Sequence, residues 1–306
     1  MKSSQPNKVL VTGASGFTGQ YVVRELKSAG YQVIELGSRP VSRENYYQVD
    51  LLDYDQLSKT INDIKPDHVI HLAAVAFVGH GDVKAFYDVN LLGTRYLLQA
   101  LSAPGQNLKS VLLASSANVY GNSSSGSLSE QTTPDPVNDY AVSKLAMEFM
   151  ARIYRNKLPV IITRPFNYTG VGQEQHFVIP KIVSHFRERK AELELGNTEV
   201  WRDFGDVRAV ARAYRQLLEV PSAIGKIINV STGKAISLGD IIRICEAITG
   251  HTLTVKVNPA FVRENEVKTL TGNSSLLHSL IPDWQPIDIK HTLTWMLAGD
   301  AALSQE

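Results

Sequence analysis

Val9-Leu-Val-Thr-Gly13-Ala-Ser-Gly16-Phe-Thr-Gly19 is a buried-type apolar run, a glycine turn and the opening of an amphipathic stretch. Each glycine has a separate use. Gly13 permits the tight turn, Gly16 lets backbone amides approach an anion, and Gly19 lets the following helix pack closely on the strand. Ser15, Phe17 and Thr18 lie on the same path at the positive end of that helix, where a pyrophosphate would sit. A glycine triplet alone is weak evidence. On the first strand of a parallel sheet it points to dinucleotide binding.

The surrounding pattern supplies that sheet. Near-continuous Val/Ile/Leu runs recur at residues 8–12, 32–36, 68–72, 110–115 and 160–164, as expected of strands buried on both faces. Amphipathic stretches at 18–28, 54–64, 84–101 and 139–155 separate them. Alternation of this kind predicts an α/β fold with a Rossmann-type doubly wound parallel sheet. After residue 164 the breakers Pro165, Gly170, Gly172 and Pro180 shorten the elements, and a smaller mixed α/β lobe is expected. The division falls at 1–166 and 167–306, with the chain returning to the first part at about 206–231. Residues 122–129, rich in Ser and Gly, read as a loop.

Composition narrows the function classes. The 306 residues carry 31 Lys plus Arg against 30 Asp plus Glu, for a net charge of +1, so there is no basic surplus for a nucleic-acid backbone. The single cysteine, Cys245, excludes a disulfide framework and a multi-cysteine metal site. His68 and His71 fall on opposite faces of one strand with no carboxylate cluster, so no metal centre is expected, and His80, His176 and His185 read as surface or supporting residues. No apolar run approaches the roughly 20 residues of a membrane span, and a cytoplasmic setting is expected.

Two further positions bear on a cofactor. At the end of the second strand, where an acid would hold the ribose hydroxyls of NAD, stand Gly37, Ser38 and Arg39. An arginine suits a 2′-phosphate, so NADPH is favoured, with NADH possible. Asp50 and Leu51 could face the adenine. Asp139-Tyr140-Ala-Val-Ser-Lys144 opens a helix, with Tyr140 and Lys144 on one face. A lysine one turn from a tyrosine is expected to lower the phenol's pKa and make it a proton carrier. Leu145, Phe149 and Ile153 are expected to form an apolar stripe toward the core. Ser115 and Ser116 end the fourth long strand, on the ligand-binding edge of such sheets.

Taken together, Thr12-Gly13-x-x-Gly16-x-x-Gly19, Asp50-Leu51, His71-Leu-Ala-Ala74, Asn90 within Asp88–Thr94, Ser115-Ser-Ala-Asn-Val-Tyr-Gly121, Tyr140-x-x-x-Lys144 and Arg164-Pro165 resemble the extended short-chain dehydrogenase/reductase family over nearly the whole chain. The resemblance implies Ser116 as the group that orients the substrate oxygen and Tyr140 as general acid/base. Lys144 would hold the nicotinamide ribose as well. Leu72, Ala73, Ala74 and Pro165 would line the cofactor's path, and Asn90 would either touch the cofactor or tie backbone together. The segments 164–173, 177–181, 196–197, 202–207 and 263–267 resemble the GDP-sugar branch. That likeness implies Asn118, Asn167, Val178, Lys181, Arg202, Arg263 and Glu266 as substrate residues, although Arg202 with Asp203 also reads as a local ion pair.

Dehydratases of this family carry an acid two residues after the catalytic Ser/Thr, and here that position is Asn118, which cannot titrate usefully. The resemblance therefore implies NAD(P)H-dependent reduction of a GDP-linked 4-keto-6-deoxyhexose, giving a GDP-6-deoxyhexose such as GDP-D-rhamnose for cell-surface polysaccharide. A nucleotide-sugar 4-epimerase, a 4,6-dehydratase and a non-catalytic dinucleotide sensor remain as alternatives. A homodimer built on the 84–101 and 140–153 helices is expected.

Overall fold

The structure, a computed structural model, describes residues 6–76, 81–121, 126–259 and 268–299. The first half runs β1 (Lys8–Thr12), α1 (Phe17–Ser28), β2 (Gln32–Gly37), β3 (Tyr46–Gln48), α2 (Tyr54–Ile64), β4 (His68–His71), α3 (Val83–Tyr87), α4 (Thr94–Leu101), β5 (Ser110–Ala114), β6 (Gly126–Leu128), α5 (Asp139–Ala151) and β7 (Val160–Pro165). The second half continues β8 (Asn167–Thr169), α6 (Val178–Arg187), β9 (Glu192–Leu195), β10 (Trp201–Asp206), α7 (Val207–Leu217) and β11 (Ile227–Val230). It ends with β12 (Ala235–Ser237), α8 (Leu238–Thr249), β13 (Thr254–Val257), β14 (Thr269–Gly272), α9 (Ser275–Leu280) and α10 (Ile289–Ala298).

Among the described residues, seven strands form one parallel sheet in the order β11-β7-β5-β4-β1-β2-β3. The order reverses at β1, which pairs β2 on one side and β4 on the other. Thr12 aligns with Leu36 and with His71, so the glycine turn leaves the sheet at its carboxyl edge, at this switch point, where open α/β sheets bind ligands. Alternate side chains build the two faces. Val9, Val11, Ile70 and Leu112 join a cluster with α1, α6, α7, α8 and α10, whereas Leu10, Val69, Val111 and Leu113 pack on α2, α4 and α5. After the second lobe the chain returns to this sheet through β11, which pairs β7.

Strands β12, β10, β14 and β6, with β8 off β10, form a mixed sheet over the carboxyl edge. Two expectations change here. The Ser/Gly-rich stretch is not wholly loop, because Gly126–Leu128 pairs with β14; residues 122–125 lie outside the described residues. The stretch 84–101 is not one helix: a π-helical segment, Asp88–Gly93, separates α3 from α4. A π turn inserts an extra residue and re-aims side chains, and here it aims Asn90 inward.

Candidate functional site

At two of the three glycines of the turn, Gly13 and Gly19, no side chain fits. Gly13 has φ +68°, and a Cβ there would lie 2.7 Å from the Ala73 amide nitrogen. A Cβ on Gly19 would lie 2.2 Å from the Gly13 carbonyl oxygen. Helix α1 starts at Gly16 with no side-chain cap and no acid in its first turn, leaving its first amides to an anion. These features fit a dinucleotide pyrophosphate. Ala73 backs the turn, and its amide donates to Thr12 Oγ1 at 3.3 Å. Thr18 is less available than expected, because its hydroxyl lies 2.8 Å from that of Tyr168 on β8.

Beneath the turn lies a buried polar chain. His71 Nδ1 is 2.7 Å from Thr12 Oγ1 and Nε2 is 2.8 Å from Thr94 Oγ1, while Thr94 donates to the Asn90 carbonyl. Burial, and then the Lys144 charge, push the His71 pKa down to about 3, so the ring is neutral. The Asn90 side chain is spent on the protein. It accepts from the Val75 amide and donates to the Val75 carbonyl and to Ser143 Oγ, tying the end of β4 to α5.

At the end of β2 the acidic side chain is turned into the protein. Glu35, the carboxylate on this strand, is 1% exposed and is held by Lys27 at 3.1 Å and Arg43 at 3.0 Å. Ser38 and Arg39 follow on the surface. Asp50 accepts from the Leu52 amide, and Leu51 packs against Gly93.

Helix α5 opens on Asn138, whose side chain caps the Ala141 amide, and this cap sets Tyr140 and Lys144 on the inward face. Ser116 bonds the Tyr140 phenol and also accepts from the Asn118 amide at 3.1 Å. Lys144 Nζ donates to the Ala114 carbonyl at 2.8 Å. Tyr140 does not behave as the sequence suggests. Burial raises its pKa to about 12, and the Ser116 bond offsets this only in part. Lys144 is itself pulled down to about 8 by burial, opposed by Glu148. Desolvation dominates at both groups because both are buried in the protein. The phenol is therefore protonated at neutral pH.

Sequence reasoning missed what lies behind this group. Glu148, one turn after Lys144, is fully buried, accepts from Arg164 at 2.9 and 2.6 Å, and accepts from Ser115 Oγ at 2.6 Å. Arg164 also stacks 4.8 Å over the Tyr120 ring. The i+4 spacing from Lys144 was the available signal. The expected apolar stripe of α5 is also different. Phe149 and Ile153 are 54% and 75% exposed, and Val142 is exposed too, because the buried face is taken by Ser143, Lys144, Met147 and Glu148.

A cavity of about 140 Å³ opens beside Ser116. It is lined by the expected residues Ser116, Asn118, Pro165, Asn167 and Arg202, and by Asn138 and Phe166, which the sequence reading did not single out. Among the described lining residues there is no carboxylate and no imidazole; Arg202 supplies the charge. Arg202 is not paired with Asp203. Its guanidinium donates to the Trp201 and Lys268 carbonyls, while Asp203 accepts from Thr232, Gly233 and Gly272. Lys181 points elsewhere, with Nζ on the Glu194 carbonyl, and Val178 starts α6. Arg263, Glu266 and His80 lie outside the described residues. No metal-binding group of His, Cys, Asp and Glu occurs among the described residues, and no described helix is long and apolar enough to cross a membrane.

This sheet, its glycine turn and the Ser–Tyr–Lys group define the class of extended short-chain dehydrogenases/reductases. The chain belongs to the NAD dependent epimerase/dehydratase family, whose model matches residues 9–231. It is 33% identical over 297 residues to a GDP-6-deoxy-D-talose 4-dehydrogenase of Aggregatibacter actinomycetemcomitans, covering 94% of this chain and 96% of that one. It is 35% identical over 303 residues to a GDP-6-deoxy-D-mannose reductase of Pseudomonas aeruginosa, covering 95% and 96%. Among solved structures it resembles RMD from Pseudomonas aeruginosa complexed with NADPH, with TM-score 0.84, 32% identity and 99% of each chain covered.

Proposed function

We propose that this protein reduces the 4-keto group of a GDP-linked 4-keto-6-deoxyhexose with NADPH, giving a GDP-6-deoxyhexose. The observation that carries the reading is the cavity beside Ser116, whose described lining holds no group able to titrate near neutral pH. Elimination of water from a hexose needs a base for the proton next to the ketone and an acid for the departing hydroxyl, and Asn118 can be neither. Reduction asks less of the protein.

When bound, the dinucleotide supplies hydride to the carbonyl carbon. Ser116 donates a hydrogen bond to the ketone oxygen and fixes its place. Tyr140, held protonated by burial, gives its proton as the oxygen becomes an alcohol. Lys144 holds the ribose hydroxyls and keeps a positive charge near the phenolate that results. Arg202 and Asn167 face the phosphate and sugar. The relatives that act on GDP-linked 6-deoxyhexoses support guanosine as the base. The exposed apolar face of α5 supports a homodimer packed through that helix.

NADPH deuterated at the transferable position tests this. One deuterium should appear at carbon four of the sugar product. Tightly retained NAD⁺ with no net label transfer would indicate an epimerase, and loss of water from GDP-mannose would indicate a dehydratase; either overturns the reading.

A further inference from the structure

The backbone at Gly37 is not in the left-handed region, so its angles admit any residue. A Cβ there would lie 2.7 Å from the Tyr46 hydroxyl oxygen, so a side chain at this position would have to displace Tyr46. Tyr46 stands on the neighbouring strand β3, level with Glu35, and reaches forward across the end of β2. Its hydroxyl donates to the Arg39 carbonyl at 2.5 Å. Two residues on, Gln48 donates through Nε2 to the Ser38 carbonyl at 3.2 Å. The two side chains hold successive carbonyls of the segment that follows β2.

The charges around this clamp divide into two sets. Arg43 is taken by the buried carboxylate of Glu35, together with Lys27. Arg39 is exposed and has no ion-pair partner among the described residues. A guanidinium with no carboxylate of its own, on a backbone fixed at its carbonyl, is suited to a phosphate dianion.

We propose that Tyr46 is the specificity-determining residue for the adenosine end of the cofactor. Its ring and hydroxyl occupy the place from which an acid at position 37 would bind ribose hydroxyls, and its bond to the Arg39 carbonyl positions Arg39 for a 2′-phosphate. Gly37 is then a consequence of Tyr46, and a change of position 37 alone cannot convert the protein to NADH. This rests on the reading that NADPH is the cofactor.

Binding, not turnover, tests it. Titration of reduced-nicotinamide fluorescence gives dissociation constants for NADPH and NADH with the wild type, Tyr46→Phe, Gly37→Asp and Gly37→Asp/Tyr46→Ala. Tyr46→Phe keeps the ring and loses one hydrogen bond, so NADPH affinity should fall about five-fold while NADH affinity stays constant. Gly37→Asp should weaken NADPH by about ten-fold or more without gaining NADH, and the double variant should bind NADH about ten-fold more tightly than Gly37→Asp does. If Tyr46→Phe leaves the NADPH-to-NADH ratio unchanged, or Gly37→Asp alone binds NADH as well as the double variant, the proposal is wrong. If Gly37→Asp does not fold, the conservative Tyr46→Phe decides. A wild type that prefers NADH overturns the cofactor reading itself, which separates that failure from the failure of Tyr46.

Discussion

Replacing Glu148 by Gln removes the charge from the buried network behind Ser115, Lys144 and Arg164 while keeping size and one acceptor. In the native protein Glu148 is 0% exposed and Arg164 is 2% exposed, and two nitrogen–oxygen contacts of 2.9 and 2.6 Å join them. The carboxylate also takes the Ser115 hydroxyl. In the variant the guanidinium stays buried over the Tyr120 ring with no counter-charge, a loss that in other buried pairs costs about 3–5 kcal/mol. The Ser115 bond survives to the amide oxygen, so about 3 kcal/mol is expected here. For a chain of this size that corresponds to a fall in unfolding midpoint of roughly 6–12 °C, since each kcal/mol moves larger domains by about 2–4 °C. Calorimetry and urea titration measure it. Glu148→Leu with Arg164→Met should recover most of the loss, because a buried ion pair exchanged for apolar groups of similar volume is often neutral. A Glu148→Gln variant within about 1 kcal/mol of wild type, or a double variant no better than the single, would refute the assignment of this pair as a coupled unit.

Three further outcomes are expected. Tyr140→Phe should lower kcat by about 10²- to 10⁴-fold while cofactor affinity stays within a few-fold, since the ring remains and only the transferable proton is lost; steady-state rates with a parallel binding titration check it. Ile153→Asp should turn a dimer into a monomer by sedimentation velocity without changing the unfolding midpoint of the protomer, because this side chain is 75% exposed. His71 gives a pH dependence of stability. Its folded pKa of about 3 lies below the ordinary histidine value, so the unfolded chain binds the extra proton. The stability it contributes is present above the unfolded pKa and is lost as pH falls from about 6.5 toward about 3. The urea midpoint should therefore drop more between pH 7.5 and pH 5 in wild type than in His71→Gln, and equal drops would contradict this.

The parallel sheet could be read from the chain because its strands are buried on both faces. Val9–Val11 and Val111–Leu113 have no polar alternation to confuse them with surface strands, and Gly13 and Gly19 stand where backbone contacts admit no side chain. Ser116, Asn118, Asn167 and Arg202 were legible as a group because the resemblance fixed their order, and the fold brings them to one cavity. What the sequence hid depends on contacts distant in the chain. The break at Asp88–Gly93 serves Asn90, whose partners are Val75 and Ser143. The exposure of Phe149 on α5, and of Ile153 just past its end, accompanies an inward face that includes Ser143, Lys144 and Glu148, which a hydrophobicity pattern reads backwards. Tyr140's raised pKa could not be read from spacing, because burial rather than the lysine dominates it. Tyr46 gave no signal at all, since its role exists only through its distance to Gly37.

The most direct measurement is the oxidation of NADPH by the purified protein in the presence of GDP-4-keto-6-deoxymannose, followed by nicotinamide absorbance with product analysis by mass and NMR. The expected result is one NADPH consumed for each GDP-6-deoxyhexose formed, with no reaction when the ketosugar is omitted and little with Tyr140→Phe. Absence of NADPH oxidation with that ketosugar, or formation of the same ketosugar from GDP-mannose and oxidised cofactor, would contradict a 4-keto reductase.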